Sequence, residues 1–371
     1  MSIPYGRQTI TAEDVAAVVA VLNGDWLTQG PAVPGFESAL AGYCGGAHGV
    51  AVNSATSALH LACLALGIKS GDRVWISATT FVASANCARQ CGAEVDFVDI
   101  DAGTWNMSVP ALERKLVEAR RTGRLPAVVI PVHLAGLPCD MASIADLGRE
   151  YGFRIIEDAA HGLGGAYPRS RIGSCAYSDI TVFSFHPVKG ITTGEGGMAL
   201  TNDRELAGLM ARLRSHGRDA DGQQQALGFN YRMTDLQAAL GLSQLSRLDA
   251  YVARRAALAD RYDRAFAGLP VRRQAVPDGS VSAHHLYLLR VSPPQRDLLW
   301  RQMRAAGIAT PLHYPPVFLQ PYYRALGFCS GLCTEAEAYA RESVTLPLYP
   351  GLLTSDQDRV IEVSIAVLRG D

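Results

Sequence analysis

The stretch VAVNSATSALHLACLALGIKSGDRVWIS, residues 50–77, sets the architecture. It opens on a short apolar run, VAVN. A mostly apolar segment starts at Ser54 and closes near Gly67. A second short run, DRVWIS (72–77), completes the unit. A strand, a helix opened by a serine and stopped by a glycine, and a second strand form the crossover unit of a parallel sheet. Downstream the rhythm repeats. Helices are expected from about Phe81 to Cys91, over 108–121 and over 139–151. Strands are expected at 94–101, 127–133 and 154–160, then in SDITVFSF and GMALTN. Short β-branched runs alternating with helices predict an α/β fold, a mostly parallel sheet covered on both faces. Further helical pattern covers 13–22, 203–216 and 234–268. After Pro270 the character changes. HHLYLLRV (284–291), a helix near 295–306 and HYPP (313–316) predict a smaller α+β domain. The expected division is a large domain at 1–250 and a small one at 251–371, in keeping with roughly 150 residues per domain.

Composition narrows the function classes. Hydrophobic residues make up 48% of the chain and charged residues 19%, enough for a packed core and too apolar for disorder. The formal net charge is −1 and there is no Lys/Arg run, so neither nucleic acid nor an anionic membrane is an expected partner. No apolar run reaches transmembrane length, and MSIPYGRQTITAEDV lacks the pattern of an export signal. A cytoplasmic protein is expected. The eight cysteines are scattered without paired zinc-type spacing, so buried or half-buried thiols and no metal are expected.

Three segments carry chemistry. In FSFHPVKGITTGEGGMALTND (183–203), Lys189 lies between a strand and a glycine-rich turn. A buried lysine shifts toward the neutral amine, which attacks carbonyls and forms Schiff bases. Alternatively its stem packs while its head reaches water. In IIEDAAHG, an apolar strand ends in Glu157, Asp158 and His161, at the strand end where ligands bind in such sheets. A helix cap or a buried ion pair is the other reading of Asp158. In NSATSALHL, Ser54, Ala55, Thr56 and Ser57 open a helix whose free N–H groups and dipole suit a phosphate; an ordinary cap has the same sequence. A phosphate cradle, a carboxylate and a lysine on successive strand ends suit pyridoxal 5'-phosphate. The carboxylate keeps the pyridine nitrogen protonated, and the lysine holds the aldehyde.

With these residues in place, the sequence resembles the DegT/DnrJ/EryC1/StrS family of fold-type-I aminotransferases acting on nucleotide-linked keto-sugars. The motifs are WLTQGP, NSATSALHL, TTFVASANC, EDAAHGLG, SFHPVKGITTGEGGM, LRSHG, GFNYRMTDLQAALGLSQL and HYPP, in the family's order. The PYGRQTI start and the His-Pro-Val-Lys and Ile-Thr-Thr runs resemble the branch that makes UDP-4-amino-4,6-dideoxy-N-acetyl-β-L-altrosamine for pseudaminic acid.

The resemblance implies roles residue by residue. Lys189 matches the Schiff-base lysine, Asp158 the carboxylate under the pyridine nitrogen, and His161 the position near the ring hydroxyl. Ser54, Ala55 and Thr56 match the phosphate cradle, Ser184 a hydroxyl that joins it, and Phe81 the aromatic stacked on the ring. Asn230 matches an asparagine that reaches the phosphate of the second subunit, which implies a homodimer with shared active sites. Thr28, His313 and Tyr314 fall in segments lining the sugar-nucleotide side. The implied reaction takes nitrogen from L-glutamate, releases 2-oxoglutarate and aminates carbon 4 of a 4-keto-6-deoxy sugar. Perosamine-type and bacillosamine-type transaminases, a sugar dehydratase and a cofactor-binding regulator are the neighbouring readings. The dehydratase branch places histidine where Lys189 stands.

Overall fold

The computed structural model describes residues 2–219 and 221–370. Seven strands form one sheet: β1 (His48–Val52), β2 (Arg73–Ser77), β3 (Glu94–Val98), β4 (Val128–Ile130), β5 (Arg154–Asp158), β6 (Ile180–Ser184) and β7 (Gly197–Thr201). Their order is β1-β7-β6-β5-β4-β2-β3. β7 runs antiparallel to both neighbours and the other pairs are parallel, as the alternating sequence predicts. The carboxyl ends of six strands therefore share one edge with the start of β7. Side chains alternate between faces along each strand. Val50, Val52, Ile76, Ile156 and Val182 enter one apolar cluster, and Ala51, Trp75, Val129, Ile155 and Phe183 enter another. Each face is thus a core closed by helices.

A second sheet, β8 (Arg272–Arg273), β9 (Tyr287–Arg290) and β10 (Ser343–Leu346), is antiparallel in the order β10-β9-β8. It packs with the helices Pro293–Ala305 and Thr354–Arg369 around a third cluster. The helix Leu248–Ala265 puts Leu248 in the second cluster and Leu258 and Tyr262 in the third, so residue 250 lies within its first turn. Ile3 also belongs to the third cluster. Its N–H donates to the Gly307 carbonyl at 2.9 Å, and the Tyr5 carbonyl accepts from the Leu348 N–H at 3.0 Å.

Several elements differ from the sequence reading. The strand expected to run to 160 stops at Asp158, because the Ala160 N–H turns back onto the Asp158 carboxylate at 3.0 Å. The helical pattern of 234–268 is two helices, Asp235–Leu245 and Leu248–Ala265. The helix Ala32–Cys44 has no counterpart in that reading, since Pro34, Gly35 and Gly42 mask it. Pro34 sits in the first turn, where its missing N–H costs nothing. Gly241 then lets the helices touch: a Cβ there would stand 2.6 Å from the Phe36 ring. Helices Thr334–Glu342 and Thr354–Arg369 likewise have no counterpart in that reading. Of the cysteines, Cys329 is exposed, contrary to expectation, because it lies on a surface turn beyond the core.

Candidate active site

The shared strand edge opens into a cavity of about 510 Å³. Asp158 is the last residue of β5 and Ser184 the last of β6, so both side chains are fixed by the ladder. His161 follows on the turn after β5. Lys189 stands on the turn after β6, where its N–H bonds the His186 carbonyl at 2.9 Å. Ser54 caps the helix Ala55–Ala65 by accepting from the Ser57 N–H at 3.1 Å. Ser54, Ala55, Thr56, Phe81, Asp158, His161, Ser184, Lys189, His313 and Tyr314 all line this cavity. Ten positions expected from sequence to be functional are thereby brought together.

Lys189 is partly buried and has no carboxylate within ion-pair distance among the described residues. Burial pulls its pKa down to about 8, with Asp158 opposing the shift. Three buried histidines around it, His161, His285 and His313, are held in the neutral form. Burial first, then the charge of Lys189, hold His161 well below its usual range. His313 is pushed down to about 3 by burial and Lys189. Asp158 is anchored rather than ion-paired: the Ser84 hydroxyl donates to Oδ2 at 2.6 Å, and the Ala160 N–H donates to Oδ1. Glu157, one residue earlier, belongs to the other face. It is buried against His133 Nε2 at 2.8 Å, with the Tyr167 and Ser178 hydroxyls donating to its two oxygens.

Two sequence-derived positions lie elsewhere. Thr28 is exposed and pairs through its backbone with Thr234. Asn230 is exposed and pairs with Ser215. Neither lines the cavity of its own chain. Conversely, Tyr5, Thr80, His285 and Glu195 line the cavity, and Ser84 anchors Asp158. None of these stood out in sequence. His285 reads as one more residue of an apolar strand, and Ser84 as a small residue in a helix.

The residues fit pyridoxal phosphate. The N–H groups of Ala55 and Thr56 have no acceptor among the described residues, so they are free to bind an anion. The cradle is tight against β7, since a Cβ on Gly197 would lie 2.4 Å from the Ala55 nitrogen. Phe81, 58% exposed at the rim, offers a flat apolar face, and its ring centroid lies 6.1 Å from that of Tyr314.

Comparison with known proteins agrees with this geometry. The family model described as "DegT/DnrJ/EryC1/StrS aminotransferase family" matches residues 8–364. The spore coat polysaccharide biosynthesis protein SpsC of Bacillus subtilis is 38% identical, with 99% of this chain and 97% of that protein covered. Among solved structures, Helicobacter pylori PseC, described as an aminotransferase involved in the biosynthesis of pseudoaminic acid, superposes with a TM-score of 0.92 at 29% identity over 100% of both chains. The Streptococcus pneumoniae protein Spr1654, described as a putative sugar aminotransferase in its PMP form, gives 0.91 at 32% identity, covering 100% of this chain and 99% of that one. With a neutralisable lysine, an anchored aspartate and a phosphate cradle on one edge of a fold-type-I sheet, this chain belongs to the DegT/DnrJ/EryC1/StrS family and is a pyridoxal phosphate-dependent sugar aminotransferase.

Proposed function

We propose that the chain transfers the amino group of L-glutamate to carbon 4 of a nucleotide-linked 4-keto-6-deoxy sugar, UDP-2-acetamido-2,6-dideoxy-β-L-arabino-hexos-4-ulose. The product would enter a surface glycan of the pseudaminic acid type. The observation that carries the reading is Lys189, an amine of pKa about 8 on the wall of a 510 Å³ cavity. Such a base can take a proton from a donor carbon and return one to an acceptor carbon on the same face. Full-length likeness to PseC supports the particular sugar.

Roles follow from this chain's own groups. The N–H groups of Ala55 and Thr56, with Ser54 and Ser184, would bind the phosphate. Asp158, fixed by Ser84 and Ala160, would hold a proton on the ring nitrogen. His161 would face the ring hydroxyl and Phe81 the ring plane. The cofactor, when bound, supplies an electron sink for the carbon losing its proton. Lys189 moves that proton. Thr28, His313 and Tyr314 would serve the sugar-nucleotide side, with residues 1–250 as the cofactor domain and 251–371 as the small domain.

A homodimer in the cytoplasm completes the reading. Asn230 is exposed and remote from its own cavity, which suits a residue serving the partner's phosphate. Val15, Leu22, Trp26 and Leu27 leave an apolar face on and beyond the helix Ala12–Leu22. A patch of this kind marks an interface. The greater identity to SpsC favours a second reading, a related transaminase that aminates another nucleotide 4-keto-6-deoxy sugar, of perosamine or bacillosamine type. A panel of such sugars assayed with glutamate, with products identified by NMR, tests both. The proposal expects highest kcat/KM on the L-arabino-configured UDP sugar, and preference for a GDP-linked or D-configured sugar would replace it.

A further inference from the structure

Ala135 lies on the turn after β4 in a left-handed conformation, with φ 60°. Its carbonyl accepts from the His285 N–H at 2.8 Å, and its own N–H donates to His161 Nδ1 at 3.3 Å. A backbone N–H can only donate, so Nδ1 presents a lone pair. The ring is held neutral by burial, with the charge of Lys189 acting in the same direction. Its single proton is therefore on Nε2. That nitrogen faces the Tyr314 hydroxyl at 3.1 Å, and N–H donates while oxygen accepts. Tyr314 cannot return its own proton to His161, and no other described residue takes it. The phenol stays protonated because burial raises its pKa. Tyr314 lines the same cavity as Lys189.

We infer that His161 is locked as its Nε2–H tautomer and that this makes Tyr314 a one-way hydroxyl donor to an oxygen acceptor bound beside Lys189. Donation runs in one direction, from Ala135 N–H to His161 to Tyr314 to the ligand. Two oxygens have the right chemistry: the hydroxyl oxygen of the cofactor ring and the keto oxygen of the sugar. In either case Tyr314 polarises its acceptor by hydrogen bonding and keeps its proton. Tyr314 touches the ligand, whereas His161 acts on it through Tyr314 and is a positioning residue in this respect. The inference rests on the aminotransferase reading for its ligands, while the tautomer stands independently of it.

The first test is 15N NMR of histidine-labelled protein carrying its cofactor, with the His161 signals assigned by their loss in His161→Gln. An unprotonated Nδ1 and protonated Nε2, unchanged between about pH 6 and 8, are expected. An Nδ1–H tautomer or an imidazolium overturns the inference. The second test compares Tyr314→Phe with wild type in the visible band of the bound cofactor and in the separate half-reactions. A ring-oxygen acceptor shifts the band or its pH midpoint. A keto-oxygen acceptor leaves the band in place and slows the reaction of the aminated cofactor form with keto substrate by roughly tenfold or more. No change in either overturns the donor role. His161→Gln keeps an acceptor for Ala135 and a donor for Tyr314, whereas His161→Leu keeps neither. The Gln variant should lose less in band position and half-reaction rate than the Leu variant, and equal loss in both would refute positioning. If no nucleotide sugar reacts, 2-oxoglutarate serves as keto substrate, which separates failure of this inference from failure of the sugar assignment.

Discussion

Ser84 and Asp158 are joined by a buried hydrogen bond of 2.6 Å, although they come from different crossover units of the sheet. Thr80 Oγ1 lies 2.8 Å from the same serine oxygen. Because Ser84 donates to the carboxylate, it accepts from Thr80. The arrangement fixes Asp158 without a cation, leaving its negative charge for a ligand. Ser84→Ala should cost about 1.5–3 kcal/mol, the range for a bond to a charged group. Cofactor affinity should fall with it. Thermal unfolding and a cofactor titration of the variant measure the two effects.

Lys189 should show itself in the pH dependence of stability once the cofactor is removed. Its pKa is about 8 in the fold against 10.5 ordinarily. Below pH 8 both folded and unfolded chains hold the proton, and the fold carries the full cost of enclosing the charge. Between pH 8 and 10.5 the unfolded chain binds more protons, so stability rises with pH. Lys189→Met should therefore be the more stable protein at pH 7, with the advantage shrinking toward pH 10. Calorimetry across that range decides it, and a gap that widens with pH would contradict the enclosed amine.

Lys189→Arg should fold and bind phosphate yet lose transamination, since a guanidinium does not deprotonate in proteins. A near wild-type rate would remove Lys189 from the chemistry. The same variant should show no borohydride-reducible link to the cofactor at position 189.

Gly197→Ala should damage the phosphate cradle. The added methyl would press on the Ala55 nitrogen at 2.4 Å and the Ser54 carbonyl carbon at 2.5 Å, both backbone atoms that yield only if the helix start moves. Overpacking of this kind costs about 1–3 kcal/mol. The cofactor dissociation constant should rise more than the melting temperature falls, because the displaced atoms are the anion donors. Fluorescence titration with pyridoxal phosphate measures the first.

His133→Ala should do the reverse. It strips a partner from Glu157 on the far face of the sheet and leaves a buried carboxylate poorly satisfied, a loss of about 3–5 kcal/mol. The visible band of the bound cofactor should keep its position. A displaced band would mean that the far face tunes the site.

The strand–helix alternation was legible because each buried strand is a short β-branched run and each helix opens on a polar cap. Ser54, Asp158 and Lys189 each have an ordinary reading alone, and were legible because a phosphate cradle, a carboxylate and a lysine fall in that order on successive strand ends. Ser84 and His285 were not, since only the fold brings the helix Ala83–Gln90 under β5 and the approach to β9 beside His161. Glu157 and Asp158 looked equivalent as neighbours. The period-two alternation of the strand separates them onto opposite faces. The helix Ala32–Cys44 was hidden by its proline and glycines, which first-turn placement and close helix packing make harmless.

Ile3 and Tyr5 carry no chemistry, yet one is clasped by Gly307 and the other lines the cavity while bonded to Leu348. Tyr5 thus contributes to the wall of the reaction chamber and is fastened, with Ile3, to the smaller sheet's surroundings. Fusing a bulky affinity handle immediately ahead of them, or clipping them by proteolysis, would disturb ligand entry while leaving every reactive group in its place.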